Sequence, residues 1–240
     1  MSNKIINLGI MSYMKLDAIL FDLDGTLIRI PNNFLDLLNN IVRDTCKNLN
    51  VELNGNDINE LWFSGENYKK ILRKWGIKKK NYSLFWKIFD EKDLNLRKRL
   101  IKEGEIFLYD DSLPVLNKIK SHNGTKLGII SNTPLNKANF ELEYFRLSKY
   151  FDCKIFLGSI SQEHAKPEPD GILWCLDRLD KFVKKNSGVC YIGDSEIDII
   201  AGKRASILTA YVVRDHNNKT LKIEPDIYLN SLYDIIDHLN

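Results

Sequence analysis

Short apolar runs recur along this chain, and each is followed by a turn built from Gly, Asp, Asn, Ser or Pro. Asp17–Phe21 (DAILF) ends in an acidic, glycine-containing turn and reads as a buried strand. Lys126–Ile130 (KLGII), Lys154–Leu157, Val189–Ile192 and Leu208–Val213 repeat the pattern, and Asp226–Leu229 is a shorter version. Between them the spacing of apolar residues predicts helices over 134–148, 168–181, 196–205 and 231–239. A further helix fits Ser112–Ser121, with Ser112 as N-cap, Pro114 in the first turn and Gly124 closing it. Strands alternating with helices imply an α/β fold: a parallel sheet with helices on both faces.

The stretch from Pro31 to Gly104 has a different texture. Helices are expected at 32–49, 66–75 and 81–103. In the first, Phe34, Leu37, Leu38, Ile41 and Val42 form an amphipathic stripe. Trp62, Trp75 and Trp86 are expected in the core of this stretch. The expected organisation is a mobile extension over 1–13, with Met11 or Met14 as possible starts, then a Rossmann-like core from 14–30 and 105–240. A small all-α cap domain over 31–104 is inserted after the first strand. That point adjoins the strand's C-terminal end, where open α/β sheets bind their ligands, so the insert suits a lid.

Composition narrows the function. In 240 residues, 44% hydrophobic and 28% charged is a globular balance that excludes disorder. A net charge of +3 gives no reason to expect a nucleic-acid or membrane partner. The insert holds 15 Lys and Arg against 10 Asp and Glu, and the rest of the chain 20 against 22. Lys69, Lys70 and Arg73, beside the Ser64-Gly65 turn, are lid candidates, with ordinary surface charge the preferred reading of each. Cys46, Cys153, Cys175 and Cys190 contain no C-x-x-C pair and suit free thiols in a reducing cytoplasm. No apolar run is long enough to span a membrane, and Asn7 and Gly9 break the apolar patch at the N-terminus. A cytoplasmic protein, monomer or homodimer, is expected.

Four signals lie at or just beyond predicted strand ends. Asp22-Leu23-Asp24-Gly25-Thr26 sends two carboxylates out of the first strand, one suited to nucleophile and metal ligand, the other to general acid and base. Ser131-Asn132 follows KLGII with a hydroxyl and an amide able to donate to an oxyanion. Lys166, in a stretch with Pro167 and Pro169, is expected to open a helix and to place a fixed ammonium beside carboxylates. Asp194 and Asp198 follow VCYI, spaced so that both carboxylates can face one side of a first helical turn. Asp22, Asp24, Asp194 and Asp198 together would crowd one sheet edge with negative charge. Mg2+ and Lys166 would balance it, with Asp24 protonated. His164 has no evident Ser or Cys partner and reads as a loop histidine.

These four motifs in this order resemble the haloacid dehalogenase superfamily, from about Lys15 to Asn240 apart from the insert. PDIYLNSLYDII resembles its usual closing segment. The position of the insert resembles phosphoglycolate-phosphatase-like members. The resemblance implies a Mg2+-dependent phosphatase acting on a small phosphorylated metabolite. Asp22 would form an aspartyl-phosphate, and Asp24 would act as acid and base and bind Mg2+ through its carbonyl. Ser131 and Lys166 would hold the phosphoryl group, with backbone amides around Leu23 and Asn132. Asp194 would complete the metal shell, and Asp198 would be a ligand or support one. The family's dehalogenases lack a second acid at the position of Asp24, which favours phosphoryl transfer here. Ala205-Ser206 stands where relatives often have Ala-Gly. A sugar-phosphate mutase and a non-catalytic binding protein on the same fold are the alternatives.

Overall fold

The computed structural model describes residues 16–53, 58–62, 67–121, 124–160, 162–179, 188–214 and 221–239. The expected extension 1–13 and the Ser64-Gly65 turn lie outside these residues. Among them, the first of two compact units contains the chain up to Arg29, Leu108–Ile160 and everything from His164 onward. The second contains Ile30–Phe107 and Ser161–Glu163.

The first unit is built on a six-stranded sheet. Its strands are β1 (Leu16–Phe21), β4 (Lys126–Ser131), β5 (Cys153–Phe156), β6 (Gly188–Gly193), β7 (Leu208–Val212) and β8 (Ile227–Leu229). Their order is β5-β4-β1-β6-β7-β8 and every pairing is parallel. Two-residue strands β2 (Ile28–Arg29) and β3 (Phe107–Leu108) pair separately. They were too short to leave a pattern in the sequence.

The chain runs outward from β1 to β4 and β5, then crosses back to β6 on the other side of β1. β1 therefore sits where the strand order reverses, the position at which open α/β sheets bind ligands. Register aligns the strand ends. Phe21 lies beside Ile129 of β4 and Ile192 of β6, so Asp22, Ser131 and Asp194 all leave the same edge of the sheet.

Burial on both faces explains the continuous apolar runs. Ala18 and Leu20 of β1 join a core cluster with Ile130, Ile155, Tyr191, Ile172 and Cys175. Ile19 and Phe21, which alternation turns to the opposite face, are fully buried as well, and the Phe21 ring meets Phe151 edge-on. All four cysteines are buried free thiols.

Helices fill the connections, at Ser112–Ser121, Leu135–Tyr144, Asp170–Leu179 and Glu196–Arg204. Three differences from expectation have local causes. Ser112 is not an N-cap: it is the first helical residue, and its hydroxyl donates to Leu27 O instead. The helix expected over 134–148 stops at Tyr144, and the chain turns through Arg146 at φ 57 into a 3-10 turn at Ser148–Tyr150. The closing helix is a 3-10 helix, Leu232–His238, capped by Ser231.

The second unit is helical. Its helices are Phe34–Asn48, Asn59–Trp62, Tyr68–Lys74 and Tyr82–Lys102. Ile41, Val42 and Cys46 of the first and Phe85, Phe89, Leu96 and Leu100 of the last are buried. Trp86 packs edge-on against Phe85, Phe89 and Tyr68, while Trp62 stacks obliquely on Phe89 and donates its indole N–H to Asn39 Oδ1 at 2.7 Å. No helix among the described residues is long and apolar enough to cross a membrane.

Leu20 lies in the middle of the central strand and is fully buried. Leu20→Ala is expected to lower stability by about 2–5 kcal/mol, through lost transfer energy and the cavity left behind. A urea unfolding curve should show the midpoint moving down with little change in slope.

Candidate active site

The β1 edge places the first acidic pair. Asp22 is held in line with the strand by its backbone N–H, which donates to Ile192 O at 2.9 Å. The chain then turns at Gly25, whose φ of +87° favours glycine. Space demands glycine there too, because a Cβ would lie 2.5 Å from Asp194 Oδ2. This turn brings Thr26 back under the carboxylates. Its hydroxyl lies 3.1 Å from Asp194 Oδ1 and 3.5 Å from Asp22 Oδ2.

Lys166, in the stretch between β5 and the helix at Asp170, reaches the same point. Its Nζ donates to Asp22 Oδ1 at 2.5 Å and to Asp198 Oδ1 at 2.7 Å. The lysine does not open a helix as expected, since helix 170–179 begins four residues later at Asp170. Asn132 fixes its loop instead. Asn132 Oδ1 accepts from Lys166 N at 2.9 Å, and Asn132 Nδ2 donates to Lys166 O at 3.2 Å. The Asn132 side chain is therefore engaged with protein backbone.

Asp194 leaves β6 and precedes the next helix, so it does not share a helical turn with Asp198. Ser195 is the N-cap of Glu196–Arg204, and Asp198 is the third helical residue. Asp198 Oδ2 accepts from Ser195 N at 3.1 Å and from the Ser195 hydroxyl, a capping arrangement. Asp198 Oδ1 takes Lys166 and, at 3.3 Å, the Tyr191 hydroxyl. Close approach is possible because Gly193 has no Cβ, which would otherwise lie 2.3 Å from that of Asp198.

Asp22, Asp194 and Asp198 are buried, and each offers a carboxylate oxygen within 4.8 Å of the others. The Asp24 carboxylate does not belong to that group. It is half-buried and accepts from Thr133 Oγ1 at 2.8 Å. Ser131 ends β4 with its side chain buried, and its oxygen accepts from Thr133 N at 3.1 Å.

Burial is the largest influence on Asp22 and pushes its carboxyl well above the ordinary range. Asp198 and Asp194 add to the rise, and Lys166 opposes it. Burial also opposes the charge on Lys166, yet Asp198 and Asp22 outweigh it and raise the ammonium's pKa well above its usual value. Three buried carboxylates thus face one fixed ammonium, which leaves a formal excess of about two negative charges when all are ionised. An all-oxygen donor set with that excess suits a hard divalent cation.

Fold and site together define a Rossmann-like α/β enzyme. Residues 19–212 match the family model of the haloacid dehalogenase-like hydrolases, and the chain belongs to that family. A pyrophosphatase, PpaX, of Anoxybacillus flavithermus is 29% identical over 235 residues, covering 94% of this chain and 98% of the relative. An HAD phosphatase from Thermococcus onnurineus has a solved structure that matches with a TM-score of 0.62 at 23% identity, over 92% of this chain and 96% of that one. CbbY from Rhodobacter sphaeroides, solved in complex with phosphate, matches with a TM-score of 0.67 at 19% identity, again over 92% and 96%. At these identities the two structures show the shared fold.

Thr133, Tyr191 and Ser195 were not singled out from the sequence. Thr133 directly follows Ser131-Asn132 and Ser195 lies inside the Asp194–Asp198 motif, so adjacency was the available signal. Tyr191 sits in an apolar run with nothing to distinguish it from a core aromatic.

Two outcomes are expected from this geometry. Gly25→Ala should cost about 1–3 kcal/mol from its backbone conformation alone and displace Asp194, read as a lower melting temperature. Asp22 holds a proton in the fold at pH values where the unfolded chain has released it. Its contribution to stability is therefore full below the ordinary carboxylate pKa and is lost as pH rises through the raised value. In chelator, Asp22→Asn should accordingly melt above the wild type by a margin that grows as pH rises from 4 towards neutrality (roughly the window above an unperturbed carboxylate). Melting curves over that range check it.

Proposed function

We propose that this hydrolase is a Mg2+-dependent phosphatase of small phosphorylated metabolites, working through an aspartyl-phosphate on Asp22. The observation that carries this reading is the buried Lys166 ammonium at 2.5 Å from Asp22 Oδ1, with Asp194 and Asp198 beside it. The resemblance of the whole motif series to phosphatases, and the PpaX relative, support it. Pyrophosphate and small monoesters are the substrates this reading favours, and the four buried free thiols suit a cytoplasmic enzyme.

Asp22, Asp194 and the main-chain carbonyl of Asp24 would hold Mg2+. Both oxygens of Asp198 are already engaged, so Asp198 would support the site through Lys166. A bound Mg2+ supplies neutralisation of the phosphoryl oxygens and of the Asp22 carboxylate.

The chemistry of the chain's own groups follows. Lys166 fixes the rotation of the Asp22 carboxylate, one oxygen of which attacks phosphorus. The bond from phosphorus to the leaving oxygen breaks, and Asp24, protonated at the start, gives that oxygen its proton. Thr133 Oγ1, at 2.8 Å, orients the Asp24 carboxyl for this. Asp24 then takes a proton from water as the water oxygen attacks the phosphorus of the aspartyl-phosphate. Phosphate departs and Asp22 is restored. Ser131 accepts from Thr133 N, its hydroxyl proton would be donated to a phosphoryl oxygen, and the backbone amides of Leu23 and Asn132 would add donors. Positioning and charge stabilisation are what phosphoryl transfer chiefly requires.

The purified chain with Mg2+ should release phosphate from an aryl phosphate, and EDTA should abolish the release. Asp22→Asn should lose at least about a thousandfold in kcat while remaining folded. Retained turnover in that variant would remove the covalent mechanism. Isomerisation of sugar monophosphates faster than their hydrolysis would replace the phosphatase reading with a mutase.

A further inference from the structure

A second buried ion pair stands behind the site. Arg214, just beyond β7, forks onto Asp111: Nη1 donates to Oδ2 at 2.9 Å and Nη2 to Oδ1 at 3.0 Å. Both residues are buried, and the guanidinium lies 3.8 Å above the Tyr109 ring. Asp111 receives two more donors from the C-terminal segment, Ser231 Oγ and Leu232 N, each at 2.9 Å. Burial opposes the charge of Asp111, but the bonds from Arg214, Leu232 and Ser231 hold its carboxyl below the ordinary range.

This pair also grips the turn that carries the first acidic motif. Arg214 Nη2 donates to Thr26 O at 2.6 Å. The next carbonyl, Leu27 O, accepts from Ser112 Oγ at 2.8 Å and from Tyr109 N at 3.2 Å. The other end of Thr26 is its hydroxyl, 3.1 Å from Asp194 Oδ1. One residue thus has its carbonyl tied to a buried guanidinium and its side chain tied to the carboxylate cluster. Arginine suits this task, since a planar fork can satisfy both carboxylate oxygens and a carbonyl while stacking on a ring; lysine cannot do all of these at once.

We propose that Arg214 and Asp111 are positioning residues that set the height of the Asp22–Thr26 turn against Asp194, with the C-terminal segment at Ser231 and Leu232 locking the pair from outside. This deepens the phosphatase reading and rests on it. The pair touches no reacting atom, and acts only through Thr26.

The test uses the full chain and Arg214→Lys, at a temperature where circular dichroism shows both proteins folded. Mg2+ uptake is measured by calorimetry, and kcat and KM are measured on p-nitrophenyl phosphate. A misplaced turn should weaken Mg2+ binding about fivefold or more and lower kcat about tenfold to a hundredfold, with KM within about twofold. A purely structural pair would lower the melting temperature and leave Mg2+ affinity and kcat of the folded variant unchanged, which would overturn the proposal. Should Arg214→Lys not fold, Ser231→Ala removes one donor to Asp111 together with the cap of the closing 3-10 helix, and it decides by the same measurements on the folded variant, with smaller shifts in the same direction expected. A wild type that binds Mg2+ but frees no phosphate refutes the phosphatase reading alone, and the calorimetric comparison still decides the positioning role. A wild type that takes up no Mg2+ overturns both.

Discussion

The ammonium of Lys166 lies between two buried carboxylates, and the edge of the sheet is arranged around that contact. An isolated charge of either sign would be costly at this depth. Pairing makes it tolerable only if the partners are held, and several neighbours do the holding. Asn132 grips the lysine's backbone at both its N–H and its carbonyl. Tyr191 bridges Ile130 O and Asp198 Oδ1 from within the sheet. Ser195 ties the remaining oxygen of Asp198 to the helix start. With all three carboxylates ionised the arrangement carries an excess of negative charge that suits a divalent cation, and that excess relates the fold to its proposed chemistry.

The architecture was readable because two-sided burial forces β1, β4 and β6 to be apolar throughout, so their ends, and the acids leaving them, stand out. The glycine of the Asp22–Thr26 turn was readable for a similar reason, since its backbone conformation and its lack of a side chain are both required. Other parts depend on contacts across long sequence distances and leave no local trace. Thr133 meets Asp24 from more than a hundred residues away, and Arg214 meets Asp111 at a similar separation. Nothing in the segment around Asp111 marks it as one half of a buried pair. The joint helical face expected for Asp194 and Asp198 failed because the N-cap falls between them, at Ser195.

The two acids of that last motif consequently have different duties. Asp194 keeps its place through Thr26 and presses against the Gly25 turn. Asp198 spends both oxygens on the protein and serves the lysine. A smaller departure fits the same picture: Ser206, at the position where the resemblance has glycine, adopts φ 58 and closes the helix from the left-handed region. Serine accepts there a conformation that glycine would take without strain.

The placement of β1 also has a consequence for biosynthesis. Among the described residues the earliest strand in the chain is the central one, and its two neighbours begin at Lys126 and Gly188. Until Gly188–Gly193 has been made, β1 has an unpaired edge on at least one side, and until Lys166 has been made the acid at its tip has no ammonium opposite it. The helical unit, whose α-helices all lie between Phe34 and Lys102, can form before that moment. The charge-bearing cluster can therefore assemble only after the whole stretch from Asp22 to Asp198 has been made, and until then β1 carries the kind of open strand edge that favours wrong pairing.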